Sequence, residues 1–136
     1  MRAKGPMENA EQQAKSHVGS IMEMVHALQN AGTDSEREAA QTAIYEDPLE
    51  VEVRGDWHTV GSRPSKASEF RILLSTGGPA VRIVGELNCY EEADSASVQY
   101  QDWFTPWRTL RALSDAESEA VLEYCRQFYF AECVAN

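Results

Sequence analysis

His17, His26 and His58, Cys89, Cys125 and Cys133, and a surplus of carboxylates are the side chains of this sequence that could do chemistry. A metal would need three or four such groups within about 2 Å of one ion. His17 and His26 stand nine residues apart in one helical segment, ~13.5 Å along the axis, too far to share an ion. Cys125 and Cys133, eight apart, are about two helical turns distant and equally unsuited. A Cys89–His58 nucleophile and base pair is open by arithmetic alone, but no neighbour in sequence activates the thiol. The adjacent carboxylates Glu50/Glu52, Glu91/Glu92 and Glu117/Glu119 fall at polar-phase or loop positions, without the apolar wall that acid–base work requires. "TGGP" is followed by a strand pattern, whereas a phosphate loop needs a helix there, so it reads as a turn. No catalytic residue, cofactor or metal is expected.

The distribution of charge says more. Asp and Glu number 22 against 12 Lys and Arg, a formal net charge of −10, which argues against direct contact with nucleic acid or an anionic membrane. Glu86, Glu91, Glu92, Asp94 and Asp102 fall in one run without a basic residue; Glu46–Asp56 holds five acids against Arg54, and residues 115–123 add four more. A solvated face explains any one run. Three runs in a small domain also suit a surface that imitates the phosphate row of DNA and occupies a basic groove. Beside the first run stands "DWFTPWR", with Trp103, Phe104 and Trp107 followed by Arg108 and Arg111. Trp and Arg are typical interface anchors, so this stretch is expected to be part core and part protein contact, with one aromatic packed under the sheet.

These groups are carried by elements that the periodicity marks out. The 136 residues make a single domain, with 1–7 as a loose leader in which Met7 is a second candidate start. Ala14, Val18, Ile21, Met22, Val25 and Leu28 recur at helical steps within 8–30, and Gly32 follows as a stop. Thr33 and Asp34 can cap a second helix that Asp47-Pro48 closes; residues 8–46 form the helical N-terminal part. Leu49, Val51 and Val53 then alternate with polar residues, "FRILLST" and "AVRIVGEL" form a hairpin about "TGGP", and Val98 and Tyr100 share a face of "ASVQYQDW". That gives an antiparallel meander of about four strands over 49–103. Ser114 and Glu117 make a capping box for a helix over 114–132, with Val121, Leu122, Cys125, Phe128 and Tyr129 as its buried stripe. The fold class is α+β, with the C-terminal helix over the sheet and two helices before it. Three cysteines without CxxC spacing read as reduced thiols, and no apolar run reaches the ~20 residues of a membrane span, so a cytoplasmic protein is expected.

The blocks "FRILLSTGGPAVRIVGEL", "YQDWFTPW" and "LEYCRQFYF" resemble a group of small proteins carried by phages, prophages and other mobile elements, over roughly residues 48–131. No catalytic motif attaches to that group. Proteins of this size, acidity and setting include anti-CRISPR proteins, which bind a Cas effector and block its DNA groove or its assembly. The expected function is therefore that of a non-enzymatic acidic inhibitor acting in the host cytoplasm. It would bind the basic surface of a host nucleic-acid-handling complex, with Glu86, Glu91, Glu92, Asp94 and Asp102 steering and Trp103 and Trp107 anchoring. The alternative is a homodimeric phage structural or regulatory accessory protein that associates through its sheet edge or N-terminal helices.

Overall fold

The structure, a computed structural model, describes residues 6–63 and 66–130. Its elements run α1 (Pro6–Gln29), α2 (Asp34–Glu46), β1 (Glu50–Gly55), β2 (Ala67–Ser75), β3 (Ala80–Glu86), β4 (Ser97–Gln101), β5 (Arg108–Thr109) and α3 (Asp115–Arg126). Most of the expected leader, residues 1–5, lies outside the described residues, and α1 begins at Pro6.

Local chemistry accounts for the boundaries. Ala10, Ala14, Val18, Ile21 and Val25 of α1 are buried, a stripe at three- and four-residue steps. Met22 and Leu28 are only half-buried at its margin. The Thr33 hydroxyl accepts from the Glu36 N–H at 3.1 Å and so starts α2, satisfying an amide that has no intrahelical partner. Asp47 ends that helix in front of Pro48. In β2, Phe70, Ile72 and Leu74 are buried while Arg71 between them is exposed, the period of two that a half-covered strand imposes. Gly77, at φ +113°, supplies the left-handed residue of the β2–β3 turn.

The five strands form one sheet in chain order, and every neighbouring pair is antiparallel. The fifth, Arg108–Thr109, is too short to show an alternation in sequence and extends the expected meander by one strand. The protein is thus α+β, with two N-terminal helices and one C-terminal helix. Helix α1 packs against α2, α3, β3 and β4, which makes it the centre of the helical layer, with α3 beside it. Ile72, Ile83 and Val98 from the sheet meet Val18, Ile21, Tyr124 and Cys125 in one core.

α3 is shorter than its apolar pattern suggests. The capping box is formed as expected, with Ser114 Oγ accepting from Glu117 N–H and Glu117 Oε1 accepting from Ser114 N–H. The helix then stops at Arg126, so Phe128 and Tyr129 leave its periodicity. Tyr129 is exposed and Tyr124 enters the core instead. The Tyr124 hydroxyl donates to an Asp47 carboxylate oxygen at 2.7 Å, tying α3 to the end of α2. Burial, reinforced by that acceptor, pushes the phenol well above its ordinary pKa. Phe130, beyond the helix, stacks on Phe70 at 4.8 Å between centroids; residues 131 and 132 of the expected helix lie outside the described residues.

Candidate protein-contact surface

The acidic connection between β3 and β4 is built around one asparagine. The Asn88 side-chain oxygen accepts from the N–H groups of Tyr90 and Glu92 at 2.9 and 3.1 Å. Its own N–H donates to the Glu92 carbonyl, and its carbonyl accepts from the Glu91 N–H. Leu87 and Ala93 form an isolated bridge, and Asp94 N–H donates to the Glu86 carbonyl at 2.8 Å. This is a turn closed by a side chain acting as a surrogate backbone. It holds Glu91 at φ +60°, a conformation that costs a non-glycine residue about 1–2 kcal/mol. Glu86, Glu92 and Asp94 are exposed, and Tyr90 between the acids is 78% exposed.

The aromatic stretch lies between β4 and β5. The Thr105 N–H and hydroxyl donate to the Asp102 carbonyl, and Thr105 Oγ1 accepts from the Asp102 N–H. That tight turn throws Trp103 and Phe104 outward, with Phe104 at φ +64°. Trp103 is 62% exposed, Phe104 is fully exposed, and their rings lie 6.0 Å apart. Trp107 comes to rest under the Arg82 guanidinium, 4.0 Å from ring to carbon. None of the three enters the core. This corrects the expectation that one packs beneath the sheet: the turn geometry points two of them into solvent, and Trp107 meets Arg82, which faces away from the helices.

Trp107 thus lies under Arg82, and the other six expected contact residues fall into two groups. Glu86, Glu91, Glu92 and Asp94 lie at one end of β3, whereas Asp102 and Trp103 adjoin its other end, where Ala80 pairs with Gln101. The seven-residue strand separates them by ~20 Å. Nor do the other acidic runs remain wholly available. Glu52 pairs with Arg71, Asp47 accepts from Tyr124 and Glu117 closes the α3 cap. Ion pairs among the described residues are Lys15–Glu11, Arg54–Glu69 and Arg71–Glu52, and none of the five expected steering carboxylates takes part in one.

Cys89 is exposed and Cys125 buried, where desolvation pushes the thiol pKa far up; Cys133 lies outside the described residues. Among the described residues no group of three His, Cys, Asp or Glu side chains is placed to hold a metal, and no helix is long and apolar enough to cross a membrane. Tyr90 as an exposed aromatic, and Arg71, Arg82 and Gln99 as residues sharing a face, are not among the residues expected from the sequence. The period-two positions of Arg71 and Arg82 were the available signal for the latter. Comparison with protein-family models, curated proteins and solved structures finds no match.

Proposed function

We propose that this protein is a non-enzymatic acidic inhibitor of mobile-element origin that covers the basic, nucleic-acid-binding surface of a host complex, as an anti-CRISPR protein does to a Cas effector. The observation that carries this reading is the connection between β3 and β4, where Glu86, Glu91, Glu92 and Asp94 have no ion pair among the described residues and the backbone is ordered by Asn88. A backbone ordered before binding has little conformational entropy left to lose when its carboxylates meet arginines and lysines. Tyr90 amid them gives the acidic end its own aromatic anchor, and the strained Glu91 fits a site where backbone energy is spent on presentation. Trp103 and Phe104 form a second contact at the other end of the sheet.

A tagged pull-down from host lysate, at low and at moderate salt, followed by binding measurements on the recovered complex, tests the proposal. The Glu91→Lys/Glu92→Lys variant is expected to bind about tenfold or more weakly at low salt, with the gap narrowing as salt screens the charges. An affinity unchanged by the reversal and by salt would overturn it.

A second reading is favoured by β1, which is hydrogen-bonded on one side only over Glu50–Gly55. Such an edge is a template for pairing with another copy, as in a homodimeric accessory protein. A solution mass of twice the monomer, abolished by a proline at Val51 or Val53, would support it.

A further inference from the structure

The face of the sheet turned away from the helices holds a hollow of about 410 Å³, lined among others by Glu52, Arg54, Glu69, Arg71, Arg82 and Gln99. That volume lies within the ~300–1,000 Å³ typical of small-molecule sites. Its charges do not balance. Register places Glu52 opposite Arg71 and Arg54 opposite Glu69, and both pairs are closed as ion pairs, the first at 2.7 Å. Arg82, next in line on β3, has no carboxylate partner among the described residues.

Arg82 is nevertheless held in place. Its Nε donates to Gln99 Oε1 at 2.8 Å, and its guanidinium lies 4.0 Å over the Trp107 ring. These two contacts fix the plane of the fork and leave both η-nitrogens uncommitted. Burial, then the charge of Arg71, push its pKa down, so an anion placed here would relieve both penalties.

We propose that this hollow binds a small molecule carrying one carboxylate, seated end-on against the two η-nitrogens of Arg82, with the Gln99 amide NH2 as a further donor. A planar carboxylate matches the guanidinium fork. A monoanion also matches the single surplus positive charge, whereas a phosphate dianion exceeds it and is further disfavoured by the net charge of −10. Val84 in the lining provides apolar surface for the ligand's body. This site is independent of the acidic connection, and its failure would leave the inhibitor proposal standing.

Titration of the full chain with benzoate, followed by nitrogen–proton NMR at the Arg82 Nε–H, the Gln99 amide and the Trp107 indole, tests the proposal. Saturable shifts at all three with roughly millimolar affinity are expected, together with their loss in Arg82→Gln. Glu52→Gln, which releases Arg71, should tighten benzoate several-fold and bring in binding of inorganic phosphate, and it decides the matter where Arg82→Gln disturbs the fold. Shifts that fail to saturate, that persist without Arg82, or that are indifferent to Glu52→Gln would overturn the site. Phosphate binding the unaltered protein as tightly as benzoate would overturn its monoanion selectivity.

Discussion

Gly85 is where single-atom geometry governs the acidic surface. A Cβ there would lie 2.0 Å from the Ser95 carbonyl oxygen and 2.7 Å from the Phe70 ring, so β3 and the returning connection approach closely only because this side chain is absent. Gly85→Ala is expected to lower stability by about 2–4 kcal/mol, read from urea denaturation, because neither the backbone oxygen nor the core phenylalanine can yield freely. The sequence showed a glycine inside a strand pattern, a known mark of close approach, yet the approaching partner depends on the path of the next ten residues. Phe104 was opaque for a related reason. Its left-handed backbone interrupts any periodicity through "QDWFTPWRTL", so residue types there were visible while the faces they occupy were not.

At the scale of elements, the strands β2, β3 and β4 were legible because a half-covered sheet imposes strict alternation. Both helix caps were legible because their chemistry is local. What escaped was set by partners distant in sequence: the burial of Tyr124 answers to Asp47, and the role of Arg82 emerges only once register aligns three strands. Helix α1 carries a pH-dependent element of this kind. His17 is half-buried, and burial lowers its pKa below the ordinary 6.5, an effect that the charge of Asp47 only partly offsets. The unfolded chain therefore takes up this proton first, and stability should decline as pH falls through about 6.5 towards the lowered value. His17→Gln should remove that part of the decline, leaving a shallower dependence between about pH 7 and pH 5 in thermal melts. Parallel curves for the two proteins would show that His17 titrates alike in both states.

For the whole molecule, composition announced the dominant electrostatic fact, a net charge of −10, but not its geography. Glu86, Glu91, Glu92 and Asp94 lie at the opposite end of β3 from the aromatic pair, whereas Asp102 adjoins the aromatics, and a single patch combining all of them is absent from the described residues. With the ion pairs Lys15–Glu11, Arg54–Glu69 and Arg71–Glu52 among the described residues set against so large a net charge, self-repulsion should exceed local attraction. The melting temperature is accordingly expected to rise by a few degrees when sodium chloride is raised from about 20 to about 200 mM, measured by calorimetry. A fall would mean that the cross-strand pairs on the open face contribute more than the repulsion takes away.

The central place of α1 in the helical layer has a consequence for biogenesis. The sheet is a succession of hairpins between chain neighbours, each able to close soon after it leaves the ribosome. α1 instead packs on β3, β4 and α3, all translated well after it. At ~5–20 residues per second, roughly 5–20 s separate its synthesis from that of α3. Until β4 is made, α2 is the main native partner of α1 already present, so a nascent chain stalled before β4 should present the rest of the stripe from Ala10 to Val25 to chaperones, and one released after α3 should not.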